Sequence, residues 1–277
     1  MNWLVVDKII KEALIEDGIY GDITTQAIIT ENSTCSIDLI VKENGIVAGI
    51  EVFKRVFDIV GNVETAFSVK DGAEVKNGHI ICKVSGLTCN ILTGERVALN
   101  LIQRMSGIAT ISNKMASQVK HTKAKILDTR KTTPNLRILD KYAVRVGGAY
   151  NHRFNLSDGI MIKDNHISAA GGIREAVKKV KDNTSFVRKI EVEVESLEGV
   201  YEALDAKVDI IMLDNMDIET MKKAVEIIDG RAITEASGNV TIDSIKSIAE
   251  TGVDFISSGM LTHSVKALDI SMKNLVL

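Results

Sequence analysis

The sequence predicts an α/β protein with an α+β N-terminal half and a C-terminal half of parallel βα units. Three observations carry this. Strand-like and helix-like runs alternate through the second half, which implies a parallel sheet. Those strand-like runs are short, apolar and rich in β-branched residues, as expected for strands buried on both faces. From Lys163 onward the strand ends recur every 21 to 30 residues, a barrel-like spacing.

The elements follow in order. Between Trp3 and Glu16, Val5, Ile9 and Ala13, with Leu4, Ile10 and Leu14, keep helical spacing, and Asp17-Gly18 ends that helix. From Cys35 to Asn90, SIDLIVKENGIVAG and FSVKDGAEVKNGHIICKVSG read as short strands joined by Glu-Asn-Gly, Lys-Asp-Gly and Lys-Asn-Gly turns. GIEVFKRVFDIVG reads as a helix between them. A long helix is predicted from about Gly94 to Gln118, with Thr93 as N-cap and Val97, Ala98, Leu101, Ile102, Met105 and Ile108 on its apolar face. The strands of the second half are AKILDTR, DGIMIKD, RKIEVEV, VDIIMLD, RAITEAS and VDFISSG. SAAGGIREAVKKVKDN, SLEGVYEALDA, MDIETMKKAVEIIDG and TIDSIKSIAETG are amphipathic helices, with Ser196, Asp217 and Thr241 as N-caps and Gly230 and Gly252 as stops.

Composition narrows the function classes. The 277 residues are 45% hydrophobic, enough for a sizeable core, and 26% charged, ordinary for a soluble protein. One Pro and 4% aromatics argue against disorder and against a stacking platform for single-stranded nucleic acid. The opening segment reads as an amphipathic helix and not a signal peptide, and no apolar run approaches the roughly 20 residues of a membrane span. Cys35, Cys82 and Cys89 lack CxxC spacing and read as free thiols, acting as small hydrophobes, in a reducing cytoplasm.

The segment Asp128–His166 is strongly cationic, with Arg130, Lys131, Arg137, Lys141, Arg145, Arg153 and Lys163, in a chain whose formal net charge is −3. The strand C-terminal ends give Thr129-Arg130-Lys131, Lys163, Glu193, Asp214, Glu235 with Ser237-Gly238-Asn239, and Ser258-Gly259. In a βα barrel that end carries the active site. Polar strand ends also occur simply because they meet solvent, but six in a row with this chemistry weaken that reading. Arg130, Lys131, Arg153 and Lys163, with His152, suit carboxylates or phosphates. Ser237-Gly238 and Ser258-Gly259 are expected to precede helices, offering backbone N–H groups to an anion. Glu193 and Asp214 suit Mg²⁺ or sugar hydroxyls. The ligand expected is therefore polyanionic, ribose-like in part and accompanied by a hard cation.

Other features read blandly. Arg137, Lys141 and Arg145, four residues apart, suggest a solvated helix face. The histidines show no HExxH spacing, and neither GxGxxG nor GxxxxGK[ST] is present. The basic stretch lacks the interleaved aromatics of a single-strand RNA binder.

Several segments together resemble the quinolinate phosphoribosyltransferases. They are EDGIYGDITT (16–25), GERVALNLIQRMSGIAT (94–110), DTRKTTPNLR (128–137), KYAVRVGGAYNHRFNLSDGIMIKDNH (141–166), EVEVES (191–196), MLDN (212–215), EASGN (235–239) and SSGMLTHS (257–264). The resemblance implies an N-terminal α/β sandwich over residues 1–108, followed over 109–265 by an incomplete, open α/β barrel of parallel strands, with the tail 266–277 returning to the first domain. It implies conversion of quinolinate and phosphoribosyl pyrophosphate to nicotinate mononucleotide, pyrophosphate and CO₂ with Mg²⁺ and no organic cofactor.

By the same resemblance, Thr129, Arg130, Lys131, His152, Arg153 and Lys163 gather quinolinate. Arg96 is supplied from a neighbouring subunit of a homodimer or an assembly of dimers. Glu193 and Asp214 lie near ribose and metal, and Lys131, Glu193 and Asp214 form the catalytic set. Ser237, Gly238, Asn239, Ser258, Gly259, Met260 and His263 match phosphate-binding loops. No nucleic-acid or membrane partner is expected. A paralogue of the molybdenum-transport-associated type, a non-catalytic sensor of a phosphoribosyl ligand and an RNA binder are the alternatives. The intact cationic set favours quinolinate, and both acids beside it favour catalysis over sensing.

Overall fold

The structure, a computed structural model, describes residues 1–18 and 21–277. Ile19 and Tyr20, within the EDGIYGDITT match, lie outside the described residues. The chain forms two compact units: Met1–Asn113 with Thr132–Gly148 and Ser264–Leu277, and Lys114–Lys131 with Ala149–His263. Beyond the boundary expected near residue 108, residues 109–113 and 132–148 group by contact with the first unit. Residues 132–148 join the first unit because their helix is anchored there.

The first unit opens with α1 (Trp3–Gly18), which buries Val6 and Ile10 while Leu4 and Val5 stay exposed, and α2 (Ile23–Ile28). Then come β1 (Thr34–Val41), β2 (Gly45–Ile46), α3 (Ile50–Val60), β3 (Val63–Phe67), β4 (Glu74–Val75), β5 (Ile80–Leu87) and α4 (Thr88–Gln118). Strands β1, β3 and β5 pair antiparallel, and β1 buries alternate residues, the period-2 pattern of a sheet with one covered face. Helix α4 starts six residues before the predicted Gly94. Its apolar stripe reaches back to buried Ile91, seven residues before Ala98, and the Thr93 hydroxyl donates to the Cys89 carbonyl at 2.8 Å instead of capping. Ser106 and Thr110 on α4 accept the N–H groups of Ala48 and Ile46 at 3.0 and 2.9 Å. Helix α5 (Arg137–Val146) buries Leu139, Asp140, Lys141, Ala143 and Val144. Lys141 is thus not on a solvated face, because the buried stripe wraps across its position.

The second unit holds β6 (Lys125–Leu127), β7 (Ile160–Ile162), α6 (Asp164–Ala170), α7 (Ile173–Asn183), β8 (Ile190–Val194), α8 (Leu197–Asp205), β9 (Ile210–Asp214), α9 (Ile218–Ile228), β10 (Ile233–Ser237), α10 (Ile245–Ala249) and β11 (Phe255–Ser257). The six strands run parallel in the order β6-β11-β10-β9-β8-β7, and β6 and β7 remain the edges of an unclosed sheet. The predicted helix SAAGGIREAVKKVKDN is two helices, α6 and α7, broken at Gly171-Gly172. Ser196 and Asp217 cap as expected, accepting from Gly199 N at 3.2 Å and Thr220 N at 2.8 Å. Thr241 does not: it exchanges bonds with Ser244 in a turn before α10, which starts only at Ile245.

The chain then returns to the first unit as β12 (Ile270–Val276), antiparallel to β1. Cys35, Cys82 and Cys89 are free, the first two buried. Among the described residues no helix is long and apolar enough to cross a membrane.

Candidate active site

Parallel strands bring their C-terminal ends to one face. There a cavity of about 780 Å³ is lined by Thr129, Arg130 and Lys131 after β6, by Lys163 after β7, and by Glu193, Asp214 and Ser237 at the ends of β8, β9 and β10. His152 and Arg153, from an irregular segment, line it too, as do Gly238, Asn239, Ser258, Gly259, Met260 and His263. Except for Arg96, every residue expected at the site lines this one cavity. Arg96 is exposed on α4 in the first unit and is not among the lining residues.

The cations are held by local structure. Thr129 Oγ1 accepts the Lys131 N–H at 3.0 Å, and the Thr262 hydroxyl donates to the Lys131 carbonyl at 2.8 Å. The Arg153 guanidinium donates to the Gly159 carbonyl at 2.8 Å. Burial lowers the Arg153 pKa from its usual 12.5, and the nearby Arg130 charge pushes the same way. Crowded cations of this kind favour an anionic ligand.

The acids occupy the same mouth. Lys163 Nζ donates to Glu193 Oε2. Asp214 Oδ2 accepts from Asn215 Nδ2 at 2.7 Å, and Asn215 Oδ1 accepts from Asn239 Nδ2 at 3.1 Å, which ties the β9 and β10 ends together. Gly238 is required there: its φ is +91°, and a Cβ would meet Asn215 Oδ1 at 2.2 Å. Gly259 similarly gives room to the His263 ring and the Lys131 stem. The expected helix N-termini are absent. Gly238 lies seven residues before α10, and Gly259–Leu261 is a single 3₁₀ turn. Any anion binding here rests on loop N–H groups and side chains instead of a helix dipole.

His152 is more constrained than a simple carboxylate ligand. Its Nε2 lies 3.2 Å from Glu191 Oε2 and 3.5 Å from Glu235 Oε2. Burial opposes the imidazolium, but hydrogen bonds to these two acids outweigh it and raise its pKa to about 10. Nδ1 accepts the Arg153 N–H at 2.7 Å, which a doubly protonated ring cannot do. Nε2 faces the two carboxylates in either form. Burial also raises the Glu191 pKa, assisted by Glu235.

Glu193 and Asp214 offer hard oxygen donors. They do not belong to the one three-donor group found among the described residues, which is His152, Glu191 and Glu235, where the imidazole already supplies compensating charge. Two lining carboxylates with space for water and phosphate fit Mg²⁺, which retains waters and shares itself with substrate phosphates.

The strand-end reading missed Met161, Met212, Asn215, Val240, Thr241 and Ser257, which also line the cavity. It also missed Glu191 and the interior role of Glu235. The signal was present in EVEV: residues two apart share a strand face, so Glu191 must point where Glu193 points.

Comparison with known proteins shows what the chain is similar to. The family model "Quinolinate phosphoribosyl transferase, C-terminal domain" matches residues 108–273, and the N-terminal domain model matches 22–106. The chain is 46% identical over 273 residues to a probable nicotinate-nucleotide pyrophosphorylase [carboxylating] of Bacillus subtilis, covering 98% of this chain and 94% of that one. It is 47% identical to the chloroplastic nicotinate-nucleotide pyrophosphorylase [carboxylating] of Arabidopsis thaliana, covering 96% and 81%. The crystal structure of NadC from Streptococcus pyogenes matches with a TM-score of 0.96 at 44% identity, covering 100% of this chain and 98% of that one. The Francisella tularensis nicotinate-nucleotide pyrophosphorylase gives 0.94 at 41%, covering 99% and 97%.

Proposed function

The chain belongs to the quinolinate phosphoribosyltransferase family, and from that premise we propose how its residues divide the work. The reaction transfers phosphoribosyl from phosphoribosyl pyrophosphate to quinolinate, with decarboxylation, giving nicotinate mononucleotide, pyrophosphate and CO₂. It supplies NAD synthesis.

The observation that carries the division of roles is that one cavity collects cations and acids from different strand ends. Cations gather after β6 and β7, and acids stand at the ends of β8 and β9. Arg130, Lys131, Arg153 and Lys163 hold the two carboxylates of quinolinate, with Thr129 and His152 completing the cradle. Lys131, Glu193 and Asp214 are the catalytic set. The carboxylates of Glu193 and Asp214 stabilise positive charge developing on the ribose, and Lys131 orients the acid so that its ring nitrogen meets C1′. Attack by that nitrogen breaks the bond from C1′ to pyrophosphate and makes a pyridinium, which stabilises the carbanion left when the 2-carboxylate departs as CO₂; a proton from water then completes nicotinate mononucleotide. Ser237, Gly238, Asn239, Ser258, Gly259, Met260 and His263 hold phosphate groups. Glu193 and Asp214 would hold Mg²⁺ brought in with phosphoribosyl pyrophosphate, and the ion would supply charge neutralisation for the departing pyrophosphate.

Arg96 completes the pocket of a partner copy in a homodimer or an assembly of dimers, in line with its exposure on α4. A cytoplasmic location accords with three unpaired cysteines. Nucleic acid and membrane have no part in it.

The test is an assay of purified protein with Mg²⁺, phosphoribosyl pyrophosphate and each of several pyridine acids, scored for pyrophosphate and CO₂. Quinolinate should turn over well. Nicotinate, lacking the 2-carboxylate, should react poorly, because a pocket built for two carboxylates leaves cations unpaired with one. Comparable kcat/KM for the two acids would overturn the pocket assignment.

A further inference from the structure

Side chains facing the interior of the second unit come in layers. Glu193 and Ser237 line the cavity. Two residues earlier on the same strands, about 6.6 Å deeper at the usual rise, stand Glu191 and Glu235. They are 3% and 2% exposed. The layer does not require acids. Met161 is the register partner of Glu191 on β7, and Phe255 is that of Glu235 on β11, so apolar side chains occupy equivalent positions. Buried carboxylates at such positions are costly unless paired. Glu235 Oε1 has no hydrogen-bond partner among the described residues.

What these acids meet is His152. That residue lies in a segment without helix or strand, so regular structure does not set its ring. Its backbone N–H is tied to Asp128 Oδ1 at 2.8 Å, and its Nε2 faces the two carboxylates. His152 and Arg153 line both the main cavity and a second one, of about 390 Å³, that Glu191 and Glu235 also line. The ring is therefore a partition held from below.

We infer that Glu191 and Glu235 are positioning residues: through His152 Nε2 they fix the ring, and with it Arg153, in the orientation that receives the pyridine dicarboxylate. The inference rests on the reading that this cavity takes quinolinate. It makes a prediction opposite in sign to plain electrostatics. Removing negative charge near a dianion's site would, by Coulomb's law alone, tighten quinolinate binding. Loss of positioning loosens it.

The experiment measures KM for both substrates in Glu191→Gln, Glu235→Gln and the double variant, each isosteric with the acid it replaces. The expected result is a rise of about tenfold in quinolinate KM in the double variant, with the phosphoribosyl pyrophosphate KM within about twofold. In a His152→Asn background the same substitutions should add nothing further. An unchanged or lowered quinolinate KM, an equal rise for both substrates, or additivity with His152→Asn would overturn the inference. If His152→Asn alone leaves quinolinate KM unchanged, the pocket reading falls as well; if it raises KM while the glutamate variants do not, the inference alone falls. Should the variants fail to fold, ¹⁵N-histidine spectra of the unaltered protein decide. With five histidines the His152 signal is assignable. An Nε2-bound proton that persists when quinolinate binds supports the inference, and its loss overturns it.

Discussion

Lys163 at the end of β7 donates directly to Glu193 on β8, so a cation assigned to quinolinate and an acid assigned to ribose are paired before either substrate arrives. Glu193→Gln removes that acid and releases the cation. The expected outcome is roughly a tenfold higher KM for phosphoribosyl pyrophosphate, about 1.4 kcal/mol, with quinolinate KM unchanged or lower. Asp214→Asn should also weaken phosphoribosyl pyrophosphate use selectively. Steady-state kinetics with each substrate varied checks both. Near-normal kinetics in both variants would mean these acids merely end strands.

Arg96 tests assembly. Removing one guanidinium from a buried carboxylate clamp costs roughly 2–5 kcal/mol, so Arg96→Ala should be nearly inactive while still folded. Mixing it with Lys163→Ala, under conditions of subunit exchange, should restore activity, because a mixed dimer holds one site with both residues intact. Heterodimers confirmed by mass but without recovered activity would show that Arg96 does not act across an interface.

Stability of the first unit should hinge on Arg104 and Asp140. The guanidinium meets the carboxylate through two bonds, Nε–Oδ1 at 2.9 Å and Nη2–Oδ2 at 2.7 Å, and Asp140 is fully buried. Breaking such a pair from one side costs roughly 3–5 kcal/mol. Asp140→Asn should lower the melting temperature by roughly 10 °C. A calorimetric shift under about 2 °C would remove this pair from the anchors of α5.

Acid sensitivity should come partly from Asp254. It accepts from Lys123 Nζ at 2.7 Å and from the Thr234 N–H and hydroxyl at 2.9 and 2.8 Å. Burial opposes its ionisation, but these bonds outweigh it and hold the carboxyl below its ordinary 3.8. With the folded pKa lowered, the stabilisation is present above 3.8 and is lost as pH falls through the folded value. Asp254→Asn should flatten the fall of unfolding free energy below about pH 4. The same slope in the variant and the parent would exclude this group.

The sequence by itself determined the parallel βα texture and the polar character of each strand end, since both follow from local periodicity and from side chains whose direction along a strand alternates. Thr129, Lys163, Glu193, Asp214 and Ser237 were legible for that reason. Only the tertiary structure decided what depends on neighbours across the sheet. It set the order that leaves β6 and β7 as the two edges of the sheet, the burial of Lys141 on α5, and the grouping of residues 132–148 with the first unit. It also brought together His152, Glu191 and Glu235, which are 39 and 44 residues apart in sequence. Burial and pairing over such separations are properties of packing, and no local pattern encodes which distant carboxylate will face a given imidazole.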